Sequence, residues 1–228
     1  MSEATTTVRL ARRGFMAGGT ALAITLLPGC TSMGGFSLTE AIRRLLMLSA
    51  DQAFARLTAP GGFWDSQVAR LALPDVFGSR GDVLNRILTS ALVRDRLQRE
   101  LNYVAEAGAT RAAPIVAETV RTIGVQNAID LVRGGPTAAT AFLRQSMAGS
   151  LVDVMLPAVG DGIRIARDPI VGQALAALTG VDVSQVAYQL SVQADEAIWG
   201  EIGRQEADIR ANPEKTNDPL LIGVFKVA

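Results

Sequence analysis

Through most of the chain between Ser37 and Arg210, apolar residues recur at steps of three and four, the spacing that lines one face of an α-helix. That periodicity confines the chain to helix-on-helix packing. Ser37-x-x-Glu40 has the spacing of a capping box, and Ile42, Leu45, Leu46, Ser49, Ala53, Phe54 and Leu57 continue one face. This helix is expected to stop near Thr58, ahead of Pro60-Gly61-Gly62. Asp82 is placed to cap a helix through Val83, Leu84, Ile87, Leu88, Ala91 and Leu92 that continues to Gly108, with a break at Thr89-Ser90 left open. Thr110 is expected to start the next helix, with Pro114 in its first turn. Further helices are expected over 125–133, which Gly134-Gly135 stops, and over 137–155. Another should begin at Asp168-Pro169, and a long one should run from Asp182 to Arg210 and stop at Asn212-Pro213. Only the stretch near 68–73 reads as extended, and it has no evident strand partner. The expectation is an all-α, single-domain bundle of about eight helices.

Composition narrows the chemistry. Of 228 residues, 49% are apolar but only 5% aromatic, so Ala and Leu must do most of the packing. With no His and a single Cys, the chain lacks imidazole bases, imidazole zinc ligands, internal disulfides and thiolate clusters. The 22 basic and 22 acidic residues balance, which gives no electrostatic reason to expect nucleic acid. No cofactor is expected, and no acidic loop has the spacing of an all-oxygen metal site.

The first 29 residues read as an export signal. Arg9, Arg12 and Arg13 precede an uncharged stretch from Gly14 to Gly29. That stretch is too short and too rich in glycine to span a bilayer, which takes about 20 mostly apolar residues. Arg12-Arg13-Gly14-Phe15-Met16 is similar to the twin-arginine pattern, with the general secretory route as the alternative. Leu27-Pro28-Gly29-Cys30 resembles a lipobox, which implies lipid on Cys30 and cleavage before it. Several acyl chains anchor a protein stably where one alone does not. Residues 30–36 then form a lipidated tether and 37–228 the helical domain. Thr31, rather than Asp, after the Cys favours the outer membrane over the inner, on the periplasmic face.

Several segments together resemble one bacterial family, the domain of unknown function 4197 family. They include Leu71-Ala72-Leu73-Pro74, Leu101-Asn102-x-x-Ala105-Glu106-Ala107 and, most specifically, the run from Asn127 to Thr140 containing Gly134-Gly135-Pro136-Thr137. Near the end come Ile202, Glu206, Ile209-Arg210, Asn212-Pro213 and Leu220-Leu221. The resemblance implies an exported helical protein, often a lipoprotein, without a settled activity. Two features depart from the pattern. The acid run is diluted to Arg204-Gln205-Glu206-Ala207-Asp208, and Pro219 interrupts the Asp-Leu-Leu ending.

The candidate site residues are few. Gly134, Gly135 and Thr137, with Arg133 or Arg144 nearby, could form an anion site at a helix N-terminus. The plainer reading is a helix–helix corner: Gly to end one helix, Pro to turn, Thr to cap the next. Glu106, in an Ala-rich run, could serve as a general acid or base, or pair with Arg133, Arg144 or Arg210. Glu206 and Arg210 have the i,i+4 spacing of an ion pair. Asp195, Glu196 and Glu201 could join Glu206 in a carboxylate cluster, or simply make a solvated face. Trp64 and Trp199 read as core or interface anchors, with sugar stacking as the alternative, which would normally come with more aromatics than this chain has.

The sequence therefore favours a lipid-anchored periplasmic binding or envelope-structural module without catalysis. Its partners would be the membrane through Cys30, and an envelope protein or a small hydrophobic ligand. The alternatives are a carboxylate-dependent hydrolase using Glu106 and Glu206, and a carrier of a hydrophobic small molecule.

Overall fold

The structure, a computed structural model, describes residues 37–74, 90–165 and 182–226. These lie within one compact unit, Gly34–Ala228. Seven α-helices occur among the described residues: α1 Leu38–Leu57, α2 Ala91–Thr122, α3 Ala128–Arg133, α4 Ala138–Ser146, α5 Ser150–Arg164, α6 Val183–Ala211 and α7 Pro219–Phe225. A 3-10 turn, Pro213–Thr216, links the last two, and no strand is present among the described residues. The chain is all-α, as the periodicity requires. The expected starts at Asp82 and Asp168-Pro169 fall outside the described residues.

Four helices form the core. Neighbouring pairs are α1 with α2, α2 with α5, α5 with α6, and α6 with α1, which closes a ring. Arg43 near the start of α1 donates to the Ile123 carbonyl at the end of α2, while Gly61 just beyond α1 donates to Glu106 midway along α2, so the two helices are antiparallel. The approaches of Gly108 to Met155 and Val159, and of Gly162 to Val104, run α2 antiparallel to α5. Arg56 reaches Glu201 and Arg44 reaches Asp218, so α1 and α6 are antiparallel too. The result is an up-down-up-down bundle, with α3 and α4 between its second and third helices. The α1 N-terminus, α2 C-terminus, α3, α4 and α7 gather at one pole. The segment 58–74 crosses the other.

Helix starts follow local chemistry. Ser37 Oγ accepts from the Glu40 amide at 3.0 Å, whereas the Glu40 side chain turns to Arg44 rather than back to Ser37. Asp182 caps α6 through the Ser184 amide. Asp218 caps α7 through Leu220 and Leu221, with Pro219 as the first helical residue, so the proline starts this helix.

Two expected boundaries are wrong for physical reasons. The stop at Gly108 and restart at Thr110 do not occur, and α2 runs unbroken for 32 residues. Gly108 serves contact instead of termination: a Cβ there would lie 3.0 Å from Val159 Cγ2. The Thr110 hydroxyl donates back to the Glu106 carbonyl at 2.9 Å instead of capping. Pro114 thus sits inside a helix whose buried face, Ala105, Ala109, Ala112, Val116 and Val120, continues through it. Conversely, the helix expected over 137–155 is divided. Gly149 takes φ +79°, a left-handed conformation that suits glycine, and α5 starts after it.

The α2–α5 seam depends on small residues. Ala105, Ala109 and Ala112 are fully buried, and a Cβ on Gly162 would stand 2.8 Å from Val104 Cγ1. Val104 is β-branched and cannot swing aside freely. Gly200, inside α6, is the opposite case, since a Cβ there meets nothing within 4 Å. Gly162→Ala should therefore lower stability by about 1–3 kcal/mol through overpacking, with partial recovery in the Val104→Ala double variant. Gly200→Ala should raise it by about 0.5–1 kcal/mol through helix propensity. Thermal unfolding followed by circular dichroism checks both signs.

Candidate functional site

The corner between α3 and α4 contains the most specific motif of the sequence. α3 ends at Arg133, and a Cβ on Gly134 would sit 2.6 Å from Ala138 Cβ and 2.9 Å from the Asp130 carbonyl. Only glycine allows that approach. Thr137 occupies the N-cap position of α4, yet its side chain makes no capping bond. The cap comes from another helix. Glu206 of α6 accepts from the Ala139 amide at 3.0 Å and from the Thr140 amide at 2.6 Å, one with each carboxylate oxygen. The amides that would hold an external anion are therefore occupied by a side chain of the protein itself.

Arg210, one turn on, completes the arrangement. Its Nε donates to Glu206 Oε1 at 2.8 Å, Nη1 to the Val132 carbonyl at 3.0 Å and Nη2 to the Leu131 carbonyl at 2.8 Å. Its guanidinium also lies 4.8 Å from the centre of the Phe225 ring on α7. A carboxylate thus meets the positive end of α4 and a guanidinium the negative end of α3, each matched to the local helix dipole. Glu206 is 0% and the Arg210 side chain 10% exposed.

The solvated face expected for the α6 acids is not what forms. Glu201 is also buried, 3% exposed, and accepts from Arg56 at 3.3 Å, from Gln205 at 2.6 Å and from Arg204. Asp195 accepts from Trp199 Nε1 at 2.9 Å and from Arg144 at 3.2 Å. Burial drives the Asp195 carboxyl above its ordinary value against the lowering effect of Trp199 and Arg144, and neighbouring Glu196 adds to the rise. Of these acids only Glu196 is exposed.

Glu106 turns elsewhere. Its Oε1 accepts from the Gly61 amide at 3.0 Å and ties the loop after α1 to α2. Arg144 and Arg210, considered from the sequence as its partners, engage Asp195 and Glu206. Arg133, Gly134, Gly135 and Thr137 are all exposed. The structure brings Glu206 and Arg210 together, sets Arg144 against Asp195, and gives Glu106 a contact of its own.

Sequence reasoning missed the clamp on residues 71–72. Asn102, fully buried on α2, accepts from the Leu71 amide at 2.9 Å and donates to the Leu71 carbonyl at 3.3 Å. Gln98 also donates to the Leu71 carbonyl, at 2.8 Å, and Gln193 of α6 accepts from the Ala72 amide at 3.0 Å. Carboxamide side chains thus take the place of the missing strand partner. The available signal was an Asn on the apolar face shared by Leu101 and Ala105. Nearby, Trp64 has Arg70 and Arg99 at 4.5 and 4.7 Å from its ring centre, so its π-surface is engaged within the chain.

The family described as "Protein of unknown function (DUF4197)" matches residues 32–226. The chain belongs to this family. Nothing among the curated proteins or the solved structures matches it. The match starts two residues beyond Cys30 and takes in all seven helices found among the described residues of this DUF4197 chain.

Breaking a buried pair leaves an uncompensated charge, so Arg210→Met should destabilise by about 3–5 kcal/mol in urea unfolding. Arg121→Ala, which removes an exposed pair with Glu118, should cost less than about 1 kcal/mol.

Two carboxylates should give opposite pH signatures. Burial pushes Asp218 upward, but hydrogen bonds from Arg44, Leu220 and Leu221, with the Arg44 charge, outweigh it and hold the group below its ordinary 3.8. Its stabilisation is present above 3.8 and is lost as pH falls through the lower folded value. Asp195, raised from 3.8, stabilises below that value and loses the contribution as pH rises through the higher folded value. In urea unfolding over the acid range, the cost of Asp218→Asn should shrink as pH falls, while that of Asp195→Asn should grow.

Proposed function

We propose that this protein is a lipid-anchored module of the bacterial envelope, exported to the periplasmic face and held through Cys30, with a binding or structural role and no catalysis. The observation that carries the non-catalytic part is the state of Glu206. A catalytic carboxylate needs access to substrate and a free oxygen to exchange a proton. Glu206 is fully buried, and its two oxygens accept from two backbone amides and Arg210. The Glu106 carboxylate is half-buried and accepts from the Gly61 amide through Oε1.

Support for the anchor comes from the sequence. Arg12-Arg13, the uncharged stretch after them and Leu27-Pro28-Gly29-Cys30 stand in the order of a lipoprotein export signal. The family match begins just after that cysteine. The outer membrane is the favoured destination on the strength of Thr31.

Fractionation of cells expressing the full chain tests this reading. The wild-type protein should sediment with outer membranes and incorporate a labelled fatty acid. Cys30→Ser should be unlabelled and leave the membrane fraction, and Arg12→Lys with Arg13→Lys should block processing. An unlabelled, soluble wild-type protein overturns the anchor. Steady turnover of an envelope substrate that Glu106→Gln abolishes overturns the non-catalytic role.

A further inference from the structure

At the pole opposite the α1 N-terminus, the segment 68–73 forms one wall of a trench whose floor is the outer face of α6. One part, about 440 Å³, is lined by Ala72, Leu73, Tyr188, Gln189, Val192 and Gln193. An adjoining part, about 280 Å³, continues past Arg70 and Glu196 to Gly200. Ala72 and Gln193 border both, so the two parts meet. Tyr188 and Gly200 are twelve residues apart, which makes the trench about 18 Å long at 1.5 Å per residue.

We infer that this trench binds a neutral, linear oligosaccharide, which gives a ligand class to the binding role proposed above and rests on that reading. Three observations select this chemistry. First, the polar groups are planar, hydrogen-bonding and uncommitted. Among the described residues, the side chains of Tyr188, Gln189 and Glu196 make no hydrogen bond within the chain, and the Gln193 side chain uses only its oxygen, on the Ala72 amide. Carboxamide, carboxylate and phenol groups of this kind match vicinal hydroxyls, each a donor and an acceptor. Tyr188 is 55% exposed, so its ring offers an apolar face beside them. Among the described residues, the two charged ones at the trench, Arg70 and Glu196, cancel, so this lining matches an uncharged chain.

Second, three consecutive amides of the wall are already taken, which makes it a poor template for strand addition. The amides of Arg70, Leu71 and Ala72 donate to Ser66, Asn102 and Gln193. An extended peptide would need those donors free, whereas a sugar chain is read by side chains.

Third, Gly200 is unexplained by folding. It lies inside a 29-residue helix, has no positive φ, and would accept a Cβ without contact. Glycine there weakens the helix, and what it leaves is a flat floor at the end of the trench. The clamp from Gln98, Asn102 and Gln193 fixes the wall above that floor, as a preformed site requires.

The test is calorimetric titration of the full chain, purified in mild detergent, with tetramers of β-1,4-linked N-acetylglucosamine and of α-1,4-linked glucose. Uncharged extended tetrapeptides form the comparison arm. One of the sugars should bind with Kd at or below about 1 mM. Gly200→Leu, a good helix former in open space, should keep or raise the Tm yet weaken binding at least tenfold, and Tyr188→Ala should weaken it similarly. Failure of both sugars to bind, sugar binding that survives Gly200→Leu, or peptide binding that Gly200→Leu abolishes each overturns the inference. The anchored, non-catalytic reading fails separately: hydrolysis of the bound sugar removes the non-catalytic role while leaving the site, and loss of glycan binding leaves the Cys30 fractionation result untouched.

Discussion

Glu206 and Arg210 are one turn apart on α6, yet they close the ends of two other helices. Short helices such as α3 and α4 are marginal by themselves, because each exposes unsatisfied amides at one end and carbonyls at the other. Here the carboxylate takes the amides and the guanidinium the carbonyls, and the two charges neutralise each other at the point of contact. The connection between α2 and α5 is thereby fixed to the fourth helix of the bundle. An apolar pair of the same size would pack, but it would leave four backbone groups without partners.

The rest of the core follows from how little aromatic volume is available. A bundle built from Ala, Leu, Val and Gly fills space by bringing backbones close. The approaches of Gly108 to Val159 and of Gly162 to Val104 show that closeness along the α2–α5 seam. Polar side chains take over where apolar packing stops. Asn102 and Gln193 hold residues 71–72, and Glu106 holds the turn before them.

Much of the fold was legible in the sequence because helical periodicity and capping residues are local signals. Ser37, Asp182 and the stop at Asn212-Pro213 all behave as their chemistry predicts. The errors came where one residue type serves two purposes. Gly108 looks like a terminator but is a contact glycine, and Thr110 looks like a cap but bonds back within its own helix. The pairing of Glu206 with Arg210 was readable from spacing, whereas its targets on α3 and α4 were not, since they depend on how α6 lies across the corner. Thr137 held the expected position without the expected bond for the same reason. Nothing in the linear pattern shows that a carboxylate 66 residues away supplies the cap to Thr140.

The up-down-up-down order also fixes how the domain meets mechanical load. The chain enters α1 at Leu38, and α1 leads to the far pole, where Leu71 is held by α2 and Ala72 by α6. Tension between those two points runs lengthwise along α1. It meets the α1–α2 and α1–α6 interfaces in shear, where the side chains along each interface resist together, rather than peeling them apart one turn at a time.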